Sequence, residues 1–131
     1  MLKTASKLTQ AQATSQRRVQ AEQFIRTELF FGSGKPDGSH ISEADWLQFV
    51  NAEITPRFPD GLTLLTGFGQ FRNAAGVIVR ERALVLSLIY PLQTRQSSHE
   101  KIEQIRTAYK TTFQQESVLR VDSVLPIRVS F

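Results

Sequence analysis

Apolar and polar residues between positions 25 and 131 recur with two periods, and the order in which those periods switch predicts strand, helix, strand, strand, helix, strand. Over residues 24–31 the period is two. Ile25, Thr27, Leu29 and Phe31 fall on one side, and Arg26, Glu28 and Phe30 on the other. The run Gly32-Ser33-Gly34-Lys35-Pro36-Asp37-Gly38 then breaks the alternation with turn formers, predicting a flexible loop that ends near Ser42. Its glycines and lysine lack the Gly-Lys-Ser/Thr order and spacing of a phosphate-binding loop.

Ser42 is a good helix N-cap, with Asp45 three residues on as in a capping box, and Trp46, Phe49, Val50 and Ile54 recur at helical spacing to face the sheet. Pro56 and Pro59 end that helix, and Pro59-Asp60-Gly61 supplies a turn in which Asp60 is a turn residue rather than a base, beside Arg57. Two long strands over roughly 62–72 and 77–90, joined around Asn73-Ala74-Ala75-Gly76, form a hairpin. Leu65, Gly67, Gly69 and Phe71 share one side of its first strand, and a side so small at its middle predicts the close approach of a helix or a bulge. Pro91 closes the second strand. Ser97 or Ser98 is expected to cap a helix whose apolar stripe is Ile102, Ile105, Tyr109, Thr112 and Phe113. A last strand over 117–121 projects Arg120 and Asp122 to one side, and residues 126–131 form an extended tail able to lengthen the sheet edge.

This order defines an α+β chain with a ferredoxin-like βαββαβ sandwich, an antiparallel sheet carrying both helices on one face. The other face is left to water, a ligand or a second subunit. Six polar residues stand among the apolar strand positions, Arg26, Glu28, Gln70, Arg72, Arg80 and Arg120, and they form the candidate ligand-binding set. With the first strand central, Arg26 and Glu28 are expected to meet charges on the strands beside them. Buried ions without partners cost several kcal/mol, so the set is expected either to pair into a lattice along the sheet or a dimer seam, or to hold an anion through guanidinium forks.

Composition bounds these expectations. At 131 residues and 40% hydrophobic content, the chain suits one α+β domain over residues 24–131, preceded by a flexible or loosely helical basic extension over 1–23. There is no cysteine, hence no disulfide, thiolate site or cysteine nucleophile. The net charge of +4 arises in the extension, where Lys3, Lys7, Arg17 and Arg18 meet no acid before Glu22. The remaining twelve basic residues balance twelve acidic ones, which argues against nucleic acid as a partner. No apolar stretch is long enough for a signal-peptide core or a membrane span, so a cytoplasmic location is expected.

Several stretches resemble a family of small bacterial proteins, domain-of-unknown-function family 3574: Arg26-Thr27-Glu28-Leu29-Phe30-Phe31-Gly32, Ser42-Glu43-Ala44-Asp45-Trp46, residues 55–63, Gly69-Gln70-Phe71-Arg72, Val79-Arg80-Glu81-Arg82, Ala108-Tyr109-Lys110 and residues 115–120. The resemblance implies no activity, substrate or cofactor. Members of that family are often exported behind a signal sequence, from which this chain departs, and Phe71 stands where relatives often have tryptophan.

Chemistry is sparsely signalled. His40 and His99 are expected at the surface without ligand-spaced partners, so no metal is expected, and no nucleophile elbow or dinucleotide fingerprint calls for another cofactor. Three classes of function remain. The first is a non-catalytic module that forms a homodimer or binds a protein partner through its open sheet face. The second is a binder of a small anionic ligand through Arg26, Arg72, Arg80 and Arg120. The third is a small ferredoxin-like enzyme with Glu28 as acid or base and Tyr109 assisting, although Tyr109 reads more simply as a packed aromatic.

Overall fold

The computed structural model describes residues 22–131. Its elements run β1 (Glu22–Gly32), α1 (Glu43–Phe49), β2 (Thr63–Arg72), β3 (Ile78–Pro91), α2 (Arg95–Phe113), β4 (Leu119–Asp122) and β5 (Ile127–Val129). All strand pairings are antiparallel, in the order β2-β3-β1-β4, with β5 adding to the start of β1. The fold is thus mixed α+β, one five-stranded sheet with two helices.

Most of the expected basic extension, residues 1–21, lies outside the described residues. Glu22 and Gln23, assigned to it from sequence, instead open β1 and pair with Val129 and Arg128. The partner that draws them into the sheet is more than a hundred positions away, so no local pattern announces it.

β1 occupies the middle of the sheet, and its alternation sets the two faces. Ile25, Thr27, Leu29 and Phe31 are buried, and the register with β3 places Tyr90, Leu88, Leu86 and Leu84 on the same side. Both helices pack there. Trp46, Phe49, Val50 and Ile54 from the first, and Ile102, Ile105, Tyr109 and Phe113 from the second, join one core. At its centre Phe31 meets Tyr109 edge-on at 4.6 Å between ring centroids and Trp46 at 5.1 Å. Each such side chain removed from water contributes about 1.5–3 kcal/mol, which is why the helices take this face.

The Ser42 hydroxyl accepts from the Asp45 N–H at 3.0 Å, as an N-cap should. After Phe49 the helix widens over Val50–Ile54, where the Thr55 N–H reaches the Val50 carbonyl, and Pro56 follows without an N–H to continue it. α2 departs from expectation at both ends. It begins at Arg95, after a tight turn over Leu92–Thr94, because the Thr94 hydroxyl donates to the Pro91 carbonyl and fixes the entry. Ser97 and Ser98 therefore sit inside its first turn. At the other end Thr112 is exposed, since Ile102, Ile105, Tyr109 and Phe113 already complete the buried stripe. The strand expected over 117–121 is β4, Leu119–Asp122, with Val118 buried just before it, and the extended tail forms a further strand, β5, on β1.

The 32–42 loop is pinned rather than loose. Lys35 and Ser39, Gly38 and Lys35, and Ile41 and Ser33 are joined by backbone hydrogen bonds. Gly38 has a φ of 86°, which a glycine adopts without strain.

Candidate functional site

Pleat parity decides where the six candidate residues point, and it divides them. Arg26 and Glu28 lie on the bare face. Gln70, Arg72 and Arg80 share parity with Leu64 and Leu86, so they lie on the helix side, at the end of the β2–β3 hairpin that the helices do not cover. Arg120 pairs in register with Leu29 and is also on the helix side, but on β4, at the far edge of the strand order. The expected gathering of guanidinium groups on the bare face does not occur. A strand residue takes its side from its register with neighbours, and register is set by pairings distant in sequence.

The expected partners change as well. Arg26 faces Ile89 across β3, while Glu28 faces Ser87 and Val121. These two charges pair with each other along their own strand, Nε to Oε1 at 3.6 Å. Gln70 does lie opposite Arg80, as the hairpin register predicts.

Arg120 anchors a polar cluster instead. Its Nε donates to both Asp122 oxygens at 3.1 and 3.0 Å, and its Nη1 lies 2.9 Å from His99 Nδ1 and 3.5 Å from Glu103. Arginine has only donors, so His99 Nδ1 accepts and the ring proton resides on Nε2. Asp122 also accepts from Thr27, whose hydroxyl in turn meets the Tyr90 phenol at 2.7 Å. Partial burial pushes the Glu103 carboxyl up, but the Arg106 hydrogen bond and the charges of Arg106 and Arg120 outweigh it and hold the group below its ordinary value. His99 and Glu103 stand four apart on α2, a spacing that marks them as one-face neighbours from sequence. Among the described residues no three His, Asp or Glu side chains gather to hold a metal ion.

The bare face is largely apolar. Leu65, Phe71, Ile89, Leu119 and Val121 all point there and are each about half exposed, at 48 to 60%. The small positions Gly67 and Gly69 share that face, so no helix approaches them and the continuous β2–β3 register contains no bulge. A Cβ at Gly67 would meet nothing within 4 Å. On the other side of the uncovered hairpin, Phe68 is 98% exposed.

Glu81 closes one end of this face. Its carboxylate accepts from the Gly34 N–H at 2.9 Å and lies where a Cβ on Gly32 would fall. Tyr109 is wholly buried beneath β1, on the opposite side of the sheet from Glu28. Burial pushes its phenol well above the ordinary range, Glu81 adds to the rise, and Arg82 opposes it.

A cleft of about 720 Å³ opens at the other end of the sheet. The 57–63 segment, the end of β3, the first turns of α2 and the C-terminal residues wall it. Phe24, Phe58 and Phe131 give it aromatic surfaces, and Thr94, Ser97 and Ser98 give it hydroxyls. The sequence carries a signal for it: Thr94, Ser97, Ser98 and Lys101 are spaced i, i+3, i+4, i+7, one polar stripe on a helix.

Comparison with known proteins places this chain in a family. It belongs to the protein family of unknown function DUF3574, whose profile matches residues 26–131. None of the curated proteins matches it. Among solved structures it is similar to a phage SAM lyase in complex with S-methyl-5'-thioadenosine, with a TM-score of 0.64 and 15% identity over 84% of this chain and 92% of that one. The phage SAM lyase in its apo state gives a TM-score of 0.58 and 16% identity over 85% and 90%. These likenesses are of fold. No helix among the described residues is long and apolar enough to cross a membrane.

Proposed function

We propose that this chain is a non-catalytic association module that pairs with a second copy of itself through the bare sheet face and the adjoining β2–β3 hairpin. One observation carries this reading: Leu65, Phe71, Ile89, Leu119 and Val121 converge on a face that no element among the described residues covers. Contiguous apolar surface of this kind marks interaction sites. The strand order β2-β3-β1-β4, with β5 added, supports reading the fold as a ferredoxin-like sandwich, whose helix-free face is left for a partner.

The occupant is argued from charge. Among the described residues the ion pair on this face is Arg26 with Glu28, which is neutral overall and can be met by its own two-fold image. Three strands of about ten residues plus short β4 offer on the order of 500 Å² in plan, approaching the roughly 800 Å² each partner buries in a standard interface. The hairpin, with Phe68 and Phe71 exposed on opposite sides, extends that area. The anion-binding alternative loses support because its residues point to two faces and two edges. The enzyme alternative loses support because the sheet lies between Glu28 and Tyr109.

Sedimentation velocity tests the pairing. The expected result is twice the 14.8 kDa chain mass for the parent, and the single mass for a Leu65→Lys, Leu119→Lys double variant with an unchanged melting curve. A parent that stays monomeric up to about 100 μM, or heavier only with a different protein, overturns homodimerisation.

The cleft favours a second reading, a small-molecule site. The phage lyase similar in fold was solved with S-methyl-5'-thioadenosine, a flat heterocycle with an apolar tail. A cleft of about 720 Å³ with aromatic walls has the size and surface for such a compound. Calorimetric titration with S-methyl-5'-thioadenosine tests it directly, and absence of heat at millimolar ligand counts against it.

A further inference from the structure

We infer that the cleft takes a small organic anion carrying a planar ring, the anionic group held near the start of α2 by Lys101 and the ring lying against Phe58. This rests on the small-molecule reading of the cleft and adds the chemistry of the ligand. The argument begins with the charges that line the cleft, which are Arg57, Lys101 and Asp60. Arg57 is committed elsewhere, its Nη1 to the Glu53 carbonyl at 2.8 Å and carboxylate at 2.7 Å, its Nε to Gln104 at 3.0 Å. Lys101 has no carboxylate partner among the described residues, and its ammonium stands 5.9 Å from the centre of the Phe58 ring. The ammonium thus stands over an aromatic ring that borders the same space.

The helix adds to this. Its first turn contains no acidic residue, and its Thr94, Ser97, Ser98 and Lys101 stripe lines the cleft. The partial positive charge of a helix N-terminus favours an anion there, and because Thr94 and Ser97 already donate their hydroxyls to the Pro91 and Thr94 carbonyls, Lys101 supplies the charged donor. Asp60, the one acidic side chain in the lining, stands on the exposed turn and repels a second negative group. The ligand is therefore charged at one end and flat and less polar at the other. Aromatic carboxylates and nucleoside monophosphates share that chemistry.

Calorimetry on the full chain separates the sources and the failures. The probes are adenosine 5'-monophosphate, phenylacetate, adenosine, S-methyl-5'-thioadenosine and inorganic phosphate. The expected result is that one ring-bearing anion, phosphate or carboxylate, binds at least about tenfold more tightly than the neutral nucleosides and than inorganic phosphate. Lys101→Ala and Phe58→Ala should each weaken that binding by about tenfold, while Lys110→Ala, in the last turn of α2 and outside the cleft, leaves it unchanged. Lys101 is exposed, so its variant should melt with the parent. Equal binding of the neutral nucleosides, or a ring-bearing anion indifferent to Lys101→Ala, overturns the anion assignment and leaves the small-molecule reading standing. No binding by any probe at millimolar concentration overturns both.

Discussion

The Tyr109 phenol donates to the Gly32 carbonyl oxygen at 2.6 Å, tying the C-terminal part of α2 to the last residue of β1 from within the core. The bond explains why an aromatic with a polar tip stands at the centre of the aromatic cluster. It satisfies a carbonyl at the strand end, just where the 32–42 loop departs.

Tyr109→Phe keeps the ring and its packing but strands that carbonyl, so the expected loss is about 1–3 kcal/mol in urea unfolding. The same variant should change the alkaline slope. The unfolded phenol ionises near pH ~10, whereas burial holds the folded one protonated to higher pH. Its contribution is therefore complete below about pH 10 and lost as pH rises beyond it, and Tyr109→Phe should flatten stability over that interval.

Gly32 and Glu81 are coupled. A methyl at Gly32 would fall 2.9 Å from Glu81 Oε1, so Gly32→Ala must displace a carboxylate that accepts from Gly34. Gly32→Ala should cost about 1 kcal/mol in the parent and clearly less in a Glu81→Ala background. A double-mutant cycle by thermal unfolding measures the difference, and strict additivity would contradict the contact.

α2 ends on Gln114 at a φ of 55°, the left-handed cap position that glycine occupies without a Cβ penalty. Gln114→Gly should raise stability by roughly 0.5–1 kcal/mol, read as a higher denaturation midpoint with the same slope.

Gly67 separates the needs of the monomer from those of its bare face. Its φ is not positive and a Cβ there meets nothing, so the isolated fold has no use for glycine at that position. Gly67→Val should stabilise the dilute monomer by about 0.5–1 kcal/mol through β propensity. On the proposed interface it should weaken self-association, visible by sedimentation at higher concentration. Unchanged association would move the contact away from the middle of β2.

Local chemistry determined the elements. Periods of two and of roughly three and a half, broken by Pro56, Pro59, Pro91 and the glycine loop, are properties of short windows, and the Ser42 cap, the hairpin at 73–76 and the two core stripes, Thr112 excepted, came directly from them. The alternation of β1 also separated Arg26 and Glu28 from Leu29 and Phe31 before any strand was paired. What no window contains is register. Which side of the sheet Arg120 takes depends on Leu29 lying beside it, and which side Gly67 takes depends on Ala83, a neighbour joined through a hairpin but related to the helices only by packing. One residue of slip in either pairing would move every side chain of that strand to the other face, so the tertiary structure alone decided that the arginines part company, that the bare face is apolar, and that the start of α2 opens on a cleft.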